Sequence, residues 1–187
     1  MTDSEIIAPA TPTRRRRRRM IGSTVASTVL VGALMTAGAI PAQAACEESG
    51  QWLFSPSSQS GESLVSVGPP QSNYNGTGAT STSVFTAEVS GTVEATVSGS
   101  ANVGVDAKLA NISATYGTSV SASLTASLGN QTSIEVPPGQ TGNGQYGIYT
   151  VTVTGTETLY GPSCEVVESR STTITSPTRV GWNTWWS

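Results

Sequence analysis

Apolar or small residues occupy every second position through most of the segment from Val84 to Leu128, and threonine, serine and glutamate fill many of the positions between them. A period of two places the two classes of side chain on opposite faces of a β-strand. The phase of the alternation changes near Leu109, which indicates a turn, a bulge or a change of partner strand. Strands seldom exceed about ten residues, so we expect the segment to be divided at its glycines. The candidates are Gly91, Gly99, Gly104 and Gly117.

Residues 101–116 permit two interpretations. The alternation favours a strand, but four apolar residues also recur at the spacing of one helix face. These residues are Val105, Leu109, Ile112 and Tyr116. A short helix within 101–116 therefore stays open beside the strand.

Three later segments have the character of strands. Gln131–Val136 is followed by the turn sequence Pro137-Pro138-Gly139, Gln145–Thr154 alternates cleanly, and Glu165–Ile174 is rich in β-branched residues. Proline and glycine of this kind interrupt a sheet and favour tight turns. Together with the first segment, they predict an all-β, antiparallel, β-sandwich-like single domain whose β-rich body spans residues 81–174.

The first residues have the pattern of an export signal. Six arginines, Arg14–Arg19, precede an uncharged run from Met20 to Ile40, and Ala42-Gln43-Ala44 is a small-x-small cleavage site. These are the three regions of a secretory signal peptide, which we assign to residues 1–44. The protein is therefore predicted to be secreted and extracellular. A retained membrane anchor is the alternative, because the uncharged run is about long enough to span a bilayer, and the export route stays open between the general and the twin-arginine pathway.

The two cysteines, Cys46 and Cys164, are predicted to form a disulfide. In an exported protein a single pair of cysteines is usually oxidised. The bridge would join the start of the mature chain to a late strand and close almost the whole domain.

Removal of the signal peptide changes the charge of the chain. Residues 45–187 keep three of the nine basic and ten of the twelve acidic residues, a formal charge of −7. A surface of this sign argues against nucleic acids and anionic lipids as electrostatic partners.

Two flanking segments contain the candidate contact residues. Residues 45–80 form a predicted extended arm rich in serine, glycine and proline, and residues 175–187 form an aromatic C-terminal tail. The arm contains Trp52-Leu53-Phe54, which either docks on the parent sheet or anchors the arm in a partner, because buried aromatic residues dominate binding energy. The tail contains three of the four tryptophans, which either close one end of the domain or form an exposed platform. These are Trp182, Trp185 and Trp186.

The inventory of reactive groups argues against catalysis. The chain has no histidine, which removes the most frequent general base and a frequent metal ligand. The cysteines are expected to be oxidised, and no carboxylate pair has a spacing suited to glycoside hydrolysis. We therefore expect no enzyme activity, no catalytic residues, no metal and no cofactor, so that the function consists of binding, assembly or membrane attack.

The serine- and threonine-rich alternation from Val84 to Thr158 resembles the insertion region of the aerolysin and epsilon-toxin class of pore-forming proteins. The sequence around Ile134-Glu135-Val136-Pro137-Pro138-Gly139 is similar to the sheet of that class. The resemblance implies an amphipathic hairpin that leaves the body and enters a membrane. A secreted carbohydrate-binding module that uses the three C-terminal tryptophans is a further alternative.

A second resemblance involves the small exported proteins of soil actinobacteria. The arginine-rich signal, the acidic domain, the Tyr116-Gly117 and Tyr146-Gly147 turns and the Pro-Pro-Gly sequence together resemble the small adaptor subunit of secreted umbrella toxin particles. In that family the adaptor bridges a lectin-type subunit and the repeat ring of a large toxin subunit. The resemblance implies a non-catalytic adaptor whose N-terminal segment, with Trp52, Leu53 and Phe54, contacts the lectin-type subunit.

Overall fold

The computed structural model describes residues 46–187, and the predicted signal peptide lies outside the described residues. Most of the described chain is in antiparallel strands, which confirms the all-β class. The elements follow in this order: β1 Trp52–Gln59, β2 Ser63–Ser66, β3 Gln71–Tyr74, β4 Ser81–Thr86, β5 Gly91–Glu94, β6 Thr96–Gly99, α1 Val105–Tyr116, β7 Ser123–Ala126, β8 Gln131–Val136, β9 Thr141–Tyr160 and β10 Val166–Trp186.

The fold is built on one long antiparallel pair, β9 and β10, which contain 20 and 21 residues. The pairing runs from Val166 opposite Tyr160 to Trp186 opposite Gly142, with irregularities at residues 167 and 178 of β10. The residues that we predicted to be a C-terminal tail, 175–187, instead continue β10 almost to the last residue. The prediction of a tail was wrong because a bulge at Thr178 shifts the phase of the alternation. The residues before and after the bulge therefore do not form one continuous alternating pattern in the sequence.

One side of β9 is covered by three strands placed end to end. β1 pairs with residues 153–159, β2 with 147–150 and β3 with 141–144. The segment predicted to be an extended arm is therefore part of the six-stranded sheet from Trp52 to Tyr74. Its serines and prolines are tolerated because these strands are short and lie at the edge of the sheet.

The segment from Val84 to Leu128 is divided, as its glycines predict. β4 pairs with β8, and the residues between them form an insert, residues 87–130, that contains β5, β6, α1 and β7. β5 pairs with β7, while β6 pairs with residues 172–175 of β10. The sandwich-like layering thus consists of one six-stranded sheet and two small two-stranded sheets.

Residues 105–116 form a helix, so the strand that the alternation favoured there was wrong and the helical alternative was right. The helix follows Gly104 and ends at Gly117, whose φ of 67° is the left-handed conformation that terminates many helices. Leu109 and Ile112 are buried on its inner side. The helix is favoured because its 3.6-residue period brings these apolar residues onto one face.

The described chain has two hydrophobic clusters, and they lie on opposite faces of β9. The first contains Val153 with Ile174 beneath α1, and the second contains Tyr146 and Ile148. Val153 and Ile148 are five residues apart in a continuous strand, which places their side chains on opposite faces. The helix therefore packs on one face of the long pair, and the small sheets pack on the other.

The predicted disulfide between Cys46 and Cys164 is confirmed, with its two Cα atoms 5.2 Å apart. Gly50 adds to the connection by donating its backbone N–H to Tyr160 O at 2.8 Å. Both contacts hold the start of the described chain against the turn between β9 and β10.

Candidate functional site

A buried ion pair joins the helix to the sheet. The Lys108 ammonium lies 2.6 Å from Oε1 of Glu157, and both side chains have no exposed surface. Lys108 also donates to Ser100 O at 2.9 Å. Oε2 of Glu157 accepts from Ser100 Oγ at 2.5 Å and from the backbone N–H of Asn102 at 3.0 Å. Because no substrate reaches a carboxylate in this position, the geometry assigns the pair to structure.

The ionisation of Glu157 follows from these contacts. Burial raises the pKa of the carboxyl, but the hydrogen bonds from Lys108, Ser100 and the Asn102 amide outweigh it and hold that pKa below its usual value. The Glu157 carboxyl is therefore ionised at neutral pH, and its charge is compensated inside the protein.

The Trp52-Leu53-Phe54 triplet lies in β1. Phe54 is 3% exposed and belongs to the cluster beneath α1, so the structure moves it from the candidate contact surface to the core. Trp52 and Leu53 are half-buried, and the Arg170 guanidinium lies 5.5 Å from the Trp52 ring centroid. Leu53 and Phe54 line one wall of a groove of about 400 Å³ against α1, whose Asn111 donates to Phe54 O at 2.9 Å, and Trp52 lies outside this groove.

The three C-terminal tryptophans do not form one platform. Trp182 packs on Tyr146 with ring centroids 5.0 Å apart, and its indole donates to Asn130 Oδ1 at 2.9 Å. Trp186 donates to Glu135 O, also at 2.9 Å, on the same face of the sheet. Trp185 points to the opposite face because adjacent residues of a strand alternate. The structure therefore places Trp182 and Trp186 on the face of the sheet that carries β4 and β8 and Trp185 on the reverse face, with Trp186 54% and Trp185 39% exposed.

The positive charges of the described chain are all paired. Arg170 contacts Glu168, Arg179 forms an ion pair with Glu62 at 2.8 Å, and Lys108 is buried with Glu157. Seven further carboxylates, spread over the surface, have no such partner among residues 46–187. The remaining net field is negative, which favours a basic or neutral partner.

The side of β10 that faces away from β9, which we call the β10 edge, is largely unpaired. β6 pairs with it at Thr172–Thr175, the backbone N–H of Ser121 donates to Pro177 O at 2.9 Å, and no other strand of residues 46–187 pairs with it. A Cβ atom placed on Gly99 of β6 would lie 2.8 Å from Ser171 O, so this carbonyl points toward the β10 edge. Backbone groups two residues apart point to the same side of a strand, so the N–H of Ser169 also points outward.

The sequence predictions missed one exposed residue and one buried ion pair. Tyr74, 65% exposed, is the most exposed aromatic residue of the described chain and lies across β9 from the C-terminal end of β10. The Lys108–Glu157 pair was also missed. The sequence contained one signal of this pair: Glu157 lies on the same face of the alternating strand as the buried residues Val151 and Val153.

No protein-family model matches the chain, and no curated protein is significantly similar to it. Within residues 46–187 no helix has the length and apolar character required to cross a membrane. The same residues contain no cluster of three or more metal-binding side chains of the His, Cys, Asp or Glu type.

Proposed function

We propose that the protein is a secreted, non-catalytic adaptor that binds other exported proteins and bridges the subunits of an extracellular, toxin-type complex. The observation that carries this proposal is the β10 edge, which leaves most of a 21-residue strand without a second partner. Open strand edges of this kind bind extended segments of other proteins by adding a strand to the sheet.

The accessible part of the β10 edge lies at Val166–Ser171. Val166 and Val167 are each 59% exposed, and the outward N–H of Ser169 is available to a partner strand. The disulfide fixes the adjoining turn, which reduces the entropy lost on binding. The resemblance to umbrella toxin adaptors suggests a lectin-type subunit and a large toxin subunit as the two partners.

The test is a pull-down with the tagged protein from the culture medium of its producer, followed by gel filtration and mass spectrometry. The proposal predicts a discrete high-mass particle that contains two different exported proteins. Ser169→Pro removes the outward N–H without removing a hydrogen bond to β9 and is expected to abolish capture of one partner. Ser169→Ala keeps the N–H and serves as the matched control. Elution of the protein alone at its monomer mass would reject the adaptor function.

A pore-forming protein is the second candidate, and the position of the insert favours it. Residues 87–130 lie between two directly paired strands, β4 and β8, so release of the insert from the long pair would leave the β4–β8 pair intact. Its strands contain only four residues each, and its alternation suits a hairpin with one apolar face.

Dye release from liposomes tests this second candidate. Val97 of β6 lies directly opposite Ile174 of β10, so V97C/I174C would fix the insert to the long pair when oxidised. Release that stops on oxidation and returns on reduction would support insertion, with each single variant as a control for loss of core packing. Intact liposomes at all protein concentrations would reject it.

A further inference from the structure

The six-stranded sheet carries an aromatic and amide-rich surface on the face of β9 opposite the small sheets. Tyr74 lies opposite Thr141, and Trp185 lies opposite Asn143. Thr141 and Asn143 are two residues apart, so all four side chains are on one face. We call this surface the outer face. It consists of Ser72, Tyr74, Thr141, Asn143, Asn183 and Trp185.

The opposite side of the same strands confirms this direction. A Cβ atom on Gly144 would lie 2.6 Å from the Phe85 ring, and one on Gly142 would lie 2.5 Å from Val136. The even-numbered residues of this part of β9 therefore face β4 and β8. The outer face is their reverse, and Tyr74 and Trp185 are 65% and 39% exposed there.

The strand spacing and register determine the distance between the two aromatic residues of the outer face. Tyr74 belongs to β3 and Trp185 to β10, with β9 between them, so their backbones are about 10 Å apart across the strands. The offset of two residues along β9 adds about 7 Å in the strand direction. This separation is comparable to the length of a disaccharide unit.

Fixed polar groups lie between the two aromatic side chains. Asn143, which is 7% exposed, accepts from Ser72 Oγ at 2.7 Å and donates to Ser187 Oγ at 3.0 Å, and these two bonds fix the orientation of its amide. Asn183, two residues before Trp185, is exposed on the same face. Amides and hydroxyls beside aromatic rings recognise ligands that have both flat apolar faces and many hydroxyl groups.

The charge of the outer face restricts the ligand. Residues 69–87, 136–156 and 180–187 contain no charged side chain, although the predicted mature chain has a net charge of −7. None of the residues that form the outer face therefore offers a charged side chain to an ionic ligand. We propose that the outer face binds a neutral polysaccharide, with sugar rings stacked on Trp185 and Tyr74. This proposal is independent of the adaptor function, because it uses neither the β10 edge at Val166–Ser171 nor the insert.

The test measures depletion of the purified protein by insoluble cellulose, chitin, xylan and starch, and by alginate as an anionic reference. We expect retention on a neutral polysaccharide that is insensitive to salt. Trp185→Ala is expected to weaken it at least about tenfold, and Trp185→Phe, which keeps a ring, to weaken it less. Trp186→Phe is the matched control, because the neighbouring residue faces the opposite side of the sheet.

Three results would overturn the proposal. They are no retention on any neutral polysaccharide, retention on alginate alone with loss at high salt, and equal weakening by the Trp185 and Trp186 variants. Circular dichroism shows whether Trp185→Ala is folded. If it is not, Tyr74→Ala decides, since this exposed residue contributes little to the core.

Discussion

Lys108 and Glu157 form an ion pair of 2.6 Å whose two side chains are entirely removed from solvent. The lysine belongs to the insert and the glutamate to the longest pair of strands in the described chain. This contact therefore joins α1 to the six-stranded sheet through two charges that water does not screen.

Loss of one member of this pair is expected to destabilise the protein strongly. Lys108→Met leaves the Glu157 carboxylate buried without its counter-ion, and a change of this kind costs about 3–5 kcal/mol of unfolding free energy. The double variant K108M/E157Q removes both charges and should lose less than the sum of the single variants. Urea unfolding of the four proteins measures the difference. Additive losses would show that the two residues do not interact in solution.

Acid is expected to remove the stabilisation that Glu157 provides. The folded-state pKa of Glu157 is lowered, so the unfolded chain binds the proton first as the pH falls. The contribution is complete above the unfolded-state pKa of about 4.3 and is lost as the pH drops through the lower folded-state value. The measurement is the unfolding free energy between about pH 7 and pH 2.5, in the wild type and in Glu157→Gln. Glu62, whose pKa is also lowered, remains in both proteins, so their difference isolates Glu157. A difference that does not change with pH would contradict this account.

Local patterns predicted the elements that depend on neighbouring residues. The strand Gln131–Val136 agrees with β8 at both ends, and the Pro-Pro-Gly turn follows it with Gly139 at a φ of 73°. The disulfide was predictable because only two cysteines exist. For β8 and the turn, the residues that determine the structure lie within a few positions of one another. For the disulfide, the two cysteines allow only one pairing.

The features that the sequence did not predict depend on pairing between strands that are far apart in the chain. β1 pairs with residues about 100 positions later, and its serines and prolines carry no periodic signal that identifies this partner. Tyr74 and Trp185 lie on the same face of the sheet because β3 and β10 both pair with β9, one on each side of it. Trp185 therefore stays a predicted contact residue, and the sequence indicated neither that Tyr74 shares its face nor that Trp182 and Trp186 lie on the opposite face.

The disulfide is expected to contribute substantially to stability. It joins residues 118 positions apart, and removal of such a bridge typically costs about 2–5 kcal/mol. We expect C46S/C164S to unfold at a lower temperature than the oxidised wild type, and to be insensitive to reductant. Reduction should bring the wild type to the level of the variant. Thermal unfolding followed by circular dichroism, with and without reductant, tests this, and identical melting temperatures would exclude a stabilising role.

Gly155 is expected to tolerate no side chain, because β1 approaches β9 closely at this position. A Cβ atom there would lie 2.5 Å from Ser55 O and 2.7 Å from Cζ of Phe54. The backbone oxygen is fixed by strand pairing and Phe54 is buried, so neither atom can withdraw without distortion. Gly155→Ala should therefore lower the unfolding free energy by about 1–3 kcal/mol or more, as overpacking does. Gly61→Ala is the control, because a Cβ atom at Gly61 meets no other atom within 4 Å. Denaturant unfolding of both variants decides the matter, and equal midpoints would mean that β1 does not pack against β9 as described.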